Sequence, residues 1–484
     1  MTDHGSSQSE LFRKAEALDN GRAFSEALSA YLSAAHSPGL GKELAYRCFY
    51  RAAQITAELG LPPAEVLDTY EKARQILPDR AEPSHGASRY CRLRNMFREG
   101  YDIAARAIDL SIPPSGSYVE PWIYEWGLLD EYAVNAYWIG RHRDALNACL
   151  EIFSRNKFPD GHRQRIASNA KLSLASMPKE PDYGSLGEQT YLQQHSLRPG
   201  RQLRSKLEGT PRVLVAIIVK QKERELPLYL NCIDAMAYPK EFIHVYIRTN
   251  NNTDQTLPIL REWISSKGTA YASVEIDSDD IPVPVERFAS HEWNATRFKV
   301  LGGIRNTSLQ KTFERDCNFY FTCDVDIFLR PNTLRELVAT NLPIVAPMVR
   351  NVDPGNYYAN LFADANEAGY IRDCDQYRWI LERRVRGLIE VASVDAVYLV
   401  RRDVIPELTY VDGTDRWEFM IFSASARSAG IPQYYDNRQL YGYITHEEGS
   451  KAAEHQGKQA GGQIETAMRL LGGEVPNVLH SGRA

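Results

Sequence analysis

From Ser9 to Met177 apolar residues recur at helical spacing with alanines in step. GRAFSEALSAYLSAA (Gly21–Ala35) returns as GRHRDALNACLEIFS (Gly140–Ser154), which puts Ala27 and Ala145 in matching places. EVLDTYEKARQILP (Glu65–Pro78) and YDIAARAIDLSIPP (Tyr101–Pro114) keep the same succession of alanine, bulky apolar residue and closing proline. Helix pairs repeating every ~34–40 residues predict an all-α solenoid over 1–177, because a single hairpin cannot bury its own apolar face. An irregular helical bundle is the plainer alternative. Residues 178–210 are rich in Pro, Gly, Gln and Ser and read as a linker.

From Pro211 the period changes. VLVAIIV is a β-branched run, followed by a helical ELPLYLNCIDAM, the strand IHVYIRT, a helix in DQTLPILREWISS and the strand YASVEI. A long helix near Asn294–Glu314 and the strand NFYFTC come next. Strands alternating with helices predict an α/β domain over 211–484, with a parallel sheet covered on both faces and ligands at the carboxyl ends of its strands.

With 484 residues, 43% of them hydrophobic, the chain has apolar surface enough for two to four packed domains. A net charge of -5 gives no overall basic field and argues against a nucleic-acid partner. The seven cysteines are scattered without a Cys-x-x-Cys pair, so neither a disulfide framework nor a zinc site is expected. The opening MTDHGSSQSELFRK has no apolar core of signal-peptide length, and no stretch reaches the ~18 apolar residues of a membrane helix. A reducing, cytoplasmic location is the expectation.

The strand ends carry the chemistry. VKQKERELP after the first strand lacks the glycines of a dinucleotide turn, and GLGK (Gly39–Lys42) lacks the spacing of a phosphate loop. TNNNTDQT after the second strand reads either as an ordinary helix start capped by Thr253 or Asp254, or as amides at Asn250, Asn251 and Asn252 that meet a uracil or ribose. Asp-x-Asp occurs three times, at Asp277/Asp279, Asp324/Asp326 and Asp373/Asp375, so the pattern alone carries little. Only Asp324 and Asp326 directly follow a buried-looking strand, and in an extended chain residues i and i+2 point to the same side. Two carboxylates so placed suit Mg²⁺ or Mn²⁺, which would stabilise charge on a departing nucleoside diphosphate; the alternative is a solvated acidic turn.

These motifs together resemble the GT-A glycosyltransferases, whose mixed, Rossmann-like sheet carries helices on both faces. More narrowly, Pro211–Gly449 is similar to the procollagen galactosyltransferases and the glycosyltransferase domain of lysyl hydroxylases. The resemblance rests on VLVAIIVKQKERELPLYLNCIDAMAYPKEFIHVYIRTNNNTDQT, on CDVDIFLRPNTLRELVATNLPIVAPMV with NYYANLF after it, and on SARSAGIPQYYDNRQLYGYI. It implies that Asp326 is the more direct metal ligand, with Asp324 nearer the sugar nucleotide, and that Asn250–Asp254 form the nucleotide turn. It also puts Arg305 and Asn306 against the nucleotide, and Tyr358 and Asn360 beside the donor sugar and acceptor. Glu418 stands where the relatives carry an acid, as general base, with Asp415 in reserve; the relatives tend to have two adjacent acids where this chain has Trp417 and Glu418. His480 or its rival His446 matches a late histidine ligand. The helical part resembles tetratricopeptide repeats, although the usual first-helix tryptophan is missing.

The expectation is therefore a Mn²⁺- or Mg²⁺-dependent glycosyltransferase that moves galactose or glucose from a UDP-sugar to a hydroxyl of a protein or glycan, with inversion. The helical repeats would hold the acceptor or a partner. The alternatives are a non-catalytic scaffold whose transferase-like half binds nucleotide or nothing, and a metal-dependent nucleotidyltransferase, which would want a glycine-rich loop after the first strand.

Overall fold

The computed structural model describes residues 4–37, 39–177, 209–282, 294–366, 369–445 and 462–472. The chain divides into two compact units, one containing the helices up to residue 177 and the other the residues from 209 onward that are described.

In the first unit, helical hairpins follow one another: His4–Asn20 with Phe24–Ala35, Lys42–Glu58 with Pro63–Ile76, Glu82–Leu93 with Phe97–Ala105, and Leu128–Trp138 with His142–Arg155, closed by Arg163–Ser176. Each hairpin turns through one left-handed residue: Arg22 (φ 58°), Gly60 (φ 69°), Asn95 (φ 60°) and Gly140 (φ 78°). Such a residue ends one helix and aims the chain back along it, so the same turn recurs where the sequence repeat has drifted. Ala27 and Ala145 are both buried, as their matching positions require.

The YDIAARAIDLSIPP segment departs from expectation, because its helix stops at Ala105 and residues up to Glu120 run as turns and irregular chain. That segment is held by fully buried Arg80, which donates to the carbonyls of Ser117 (3.3 Å) and Tyr118 (2.8 Å) and pairs with Glu82 (3.0 Å). Glu82 in turn accepts from the Glu120 amide at 3.0 Å and from the hydroxyls of Tyr46 and Tyr124. The charges are satisfied from both ends, which is the condition for burying them at all.

The second unit contains β1 (Val213–Ile218), β2 (Ile243–Arg248), β3 (Ser273–Asp277), β4 (Phe319–Cys323), β5 (Ile327–Leu329), β6 (Ile344–Pro347) and β7 (Val349–Asn351). It continues with β8 (Leu361–Phe362), β9 (Leu388–Val391), β10 (Ser393–Val394), β11 (Val397–Arg401), β12 (Gln433–Asp436) and β13 (Gly442–Ile444). Eight strands form one mixed sheet in the order β3-β2-β1-β4-β11-β6-β12-β9; β5-β13-β7 and β10-β8 are small separate ladders.

The four strands read from the sequence are mutually parallel, as their helical crossovers demand. The parallel expectation fails beyond them: β11 lies antiparallel between β4 and β6, and β9 antiparallel to β12. Here β9, β10 and β11 follow each other through joints of one or two residues, too short for a crossover. β4 is buried along its whole length, consistent with a central strand covered on both faces. The helix Ala295–Glu314, capped by the Asn294 side chain on the Arg297 amide, packs on β1, β2 and β4.

Helix and core meet closely at one glycine. A Cβ on Gly302 would lie 2.6 Å from the carbonyl oxygen of Tyr410, so only hydrogen lets the helix approach that loop. One turn further along the helix is Arg305.

Candidate active site

β4 runs out at Asp324, whose amide donates to Ala396 O at 3.0 Å, across the antiparallel β11 boundary. The Ile327 amide then donates to Asp324 O at 3.0 Å and closes a β-turn over Asp324–Ile327. Asp324 and Asp326 are thus turn residues, and the extended-chain reason for their sharing a side does not hold. They nonetheless act on a common neighbour: burial, then Asp395, Asp324 and Asp326 all raise the Tyr358 hydroxyl well above its ordinary value.

Arg305 enters this corner from the helix. It is 4% exposed and donates through Nη2 to Asp324 Oδ1 at 2.9 Å and through Nη1 to Thr322 at 3.4 Å. Its Nε lies 3.7 Å from Glu418 Oε1, beyond hydrogen-bond reach, and is a buried donor without a partner among the described residues. Burial opposes the guanidinium charge, yet Asp324, the surrounding tyrosines and Glu418 hold it firmly protonated. Tyr398 and Tyr410, hydrogen-bonded to each other, close the apolar side.

Glu418 is buried at the first position of the helix Glu418–Ser428. Burial pushes its carboxyl up from the ordinary value; Arg305 and its own backbone amide pull the other way, and Asp324 adds to the rise. Asp395 is the member that the sequence reading missed. It sits in the two-residue joint between β10 and β11, accepts from Tyr358 Oη at 3.1 Å and from the Ala396 amide at 2.7 Å, and is pushed up to about 7. Burial is the main cause, followed by the charges of Asp324 and Glu418, with Arg305 opposing. One signal was present in the sequence: in VASVDAVYLV a single aspartate interrupts an apolar run, and a buried acid needs a reason.

The other candidate residues are placed as follows. Asn252 accepts from the Gln221 amide (3.0 Å), and Asp254 from the amides of Glu223 (3.1 Å) and Thr256 (3.0 Å), so both tie the β1 loop to the β2 loop. Asn251, at φ 45°, exchanges hydrogen bonds with the Ile281 backbone. Asn250 is buried in the same turn. Asn306 spends its amide on Thr409 (3.2 Å) and on the Tyr410 amide (2.9 Å). Asn360 is fully buried and donates to Pro347 O (3.0 Å) and Val397 O (3.3 Å). Asp415 is 73% exposed and pairs with Lys299 at 2.8 Å. His446 and His480 lie outside the described residues.

Asp324 and Asp326 remain 38% and 26% exposed while Arg305 is buried, so both carboxylates are open to solvent. An oxygen-only donor set of this size fits a hard divalent ion that takes its other ligands from phosphate and water. Among the described residues no cluster of three or more His, Cys, Asp or Glu forms a metal cage.

Acids gathered at the end of a central strand, on a sheet parallel up to β4 and reversed at β11, agree with the class that the family match establishes, a glycosyltransferase. The chain belongs to glycosyltransferase family 25, whose N-terminal domain matches residues 210–459. It is 31% identical over 245 residues to the human (Homo sapiens) protein named procollagen galactosyltransferase 2, covering 49% of this chain and 38% of that one. A bovine (Bos taurus) relative named probable inactive glycosyltransferase 25 family member 3 is 31% identical over 246 residues, covering 48% and 40%. Among solved structures, S. aureus TarS 1–349 in complex with UDP-GlcNAc aligns at a TM-score of 0.34 and 14% identity, over 49% of this chain and 60% of that one. The chain thus spans about two-fifths of the length of the curated relatives it matches.

Proposed function

We propose that this protein is a metal-dependent hexosyltransferase that moves galactose or glucose from a UDP-sugar to a hydroxyl of a protein or glycan, inverting the anomeric centre. The observation that carries the reading is the corner in which Asp324, Asp395 and Glu418 surround buried Arg305, with Asp326 acting beside Asp324 on Tyr358.

Asp326 and Asp324 would hold Mn²⁺ or Mg²⁺, which supplies Lewis-acid stabilisation to the departing diphosphate. Arg305 fixes the Asp324 carboxylate and offsets the charge of the acids around it. Glu418 takes the proton of the acceptor hydroxyl as its oxygen bonds to the anomeric carbon; the bond from that carbon to the diphosphate oxygen breaks, and its electron pair leaves with UDP. A buried carboxyl whose proton affinity is raised suits this role better than Asp415, which is exposed and paired with Lys299. The helical unit is the proposed holder of the acceptor or of a partner.

All seven cysteines are unpaired, which supports a reducing, cytoplasmic setting, and no helix among the described residues is long and apolar enough to cross a membrane. The similarity to a relative named as inactive favours one rival, a binding scaffold without turnover. Two measurements separate them. Asp326→Asn should abolish Mn²⁺-dependent release of UDP from the sugar nucleotide while the far-UV spectrum is retained. Undiminished release would refute the metal assignment, and failure of the unaltered protein to turn over any of a panel of UDP-sugars would favour the scaffold.

A further inference from the structure

Lys222 was not among the candidates from the sequence, and its surroundings give it a role. It follows β1 in a loop whose backbone is fixed at three successive points: Gln221 N on Asn252 Oδ1 (3.0 Å), Lys222 N on Thr256 Oγ1 (2.8 Å) and Glu223 N on Asp254 Oδ2 (3.1 Å). The side chain is only 14% exposed, so its stem is packed and its reach is directed. The ammonium stops 3.8 Å from Asp326 Oδ2, close enough for attraction and longer than an N–H···O bond.

The two cations of the corner differ in what they are able to do. Arg305 is buried and committed to Asp324, so it cannot turn to meet a phosphate. Lys222 approaches Asp326, which is 26% exposed, at 3.8 Å, and an ammonium on a flexible stem is a point charge able to change partners. A nucleoside diphosphate arriving among four acid side chains brings further negative charge, and a cation on the open side is what the arrangement needs.

We infer that Lys222 is a donor-site cation: it neutralises Asp326 in the unloaded protein and moves to the donor diphosphate when a divalent ion takes the Asp326 carboxylate. The exchange rests on the metal assignment above; the phosphate contact does not.

Calorimetry separates the two. In Lys222→Met, which keeps the stem and removes the charge, Mn²⁺ alone should bind about tenfold tighter than in the unaltered protein, because the competing cation is gone. UDP in the presence of EDTA should bind about tenfold more weakly, and Lys222→Arg should restore both. Equal affinities for Mn²⁺ and for UDP in all three proteins would overturn the inference. If Mn²⁺ binds none of them, the metal assignment and the exchange fail, while weaker UDP binding by Lys222→Met in EDTA still upholds the phosphate contact. Should Lys222→Met not fold, Lys222→Gln carries the same comparison.

Discussion

Replacing Arg305 by methionine tests whether the corner is held by charge. The substitution keeps most of the side-chain volume but removes the partner of Asp324 at 2.9 Å and the neighbour of Glu418 at 3.7 Å, at a position 4% exposed. Removing one member of a fully buried ion pair costs about 3–5 kcal/mol, and the 38% exposure of Asp324 lowers that to about 2–3 kcal/mol here, although Asp324, Glu418 and Asp395 are also left facing one another without their shared cation. The loss should depend on pH. Arg305 lowers the proton affinity of both Glu418 and Asp395, so without it both carboxyls, already raised, rise further. The folded variant then holds protons that the unfolded chain has released, and by linkage its stability falls as pH rises from the ordinary carboxylate range through about 7. Urea unfolding of both proteins at about pH 5 and about pH 8 reads this directly, with the larger deficit expected at the higher pH. A deficit below about 1 kcal/mol, or one equal at both pH values, would refute the reasoning, because either would mean that the acids do not depend on Arg305.

Asp395→Asn removes the carboxyl pushed up to about 7, so it should flatten the decline in stability that the unaltered protein shows between about pH 4 and 7; a pH series of unfolding curves checks it. Gly302→Ala puts a methyl 2.6 Å from Tyr410 O and should lower stability by about 1–3 kcal/mol while displacing Arg305, seen as a lower melting temperature with reduced turnover. Glu82→Gln leaves buried Arg80 with only half-exposed Glu43, at 3.5 Å, as counter-charge and should cost about 3 kcal/mol in the helical unit, with UDP affinity measured by calorimetry unchanged.

Much of this was legible in the chain. The strands VLVAIIV, IHVYIRT and NFYFTC stand within a residue of their observed ends because β-branched and aromatic runs of that length have few other uses. The two other Asp-x-Asp pairs went elsewhere: Asp277 ends edge strand β3 against Arg248, and Asp375 opens a short helix. Of the three pairs, only Asp324 and Asp326 stand at the end of a fully buried strand. What stayed hidden depended on long-range packing. Asp395 belongs to the corner only because β11 runs antiparallel to β4, and Lys222 only because its loop is tied to the β2 loop. Asn252 and Asp254 have the residue types for ligand contact, yet they are used to make that tie.

The register between β4 and β11, five pairs from Val397 opposite Cys323 to Arg401 opposite Phe319, is also a seam. On one side lie the parallel strands with Lys222, Arg305, Asp324 and Asp326; on the other lie Asp395 and Glu418, with Tyr358 at their edge. Under the proposed function the first side handles the sugar nucleotide and the second the incoming hydroxyl. Exchange of residues 344–445 between members of such a family would then change how the incoming hydroxyl is met and leave the choice of donor where it was. The two halves of the chemistry meet along the β4–β11 and β5–β13 ladders, and Arg305 reaches across them towards Glu418.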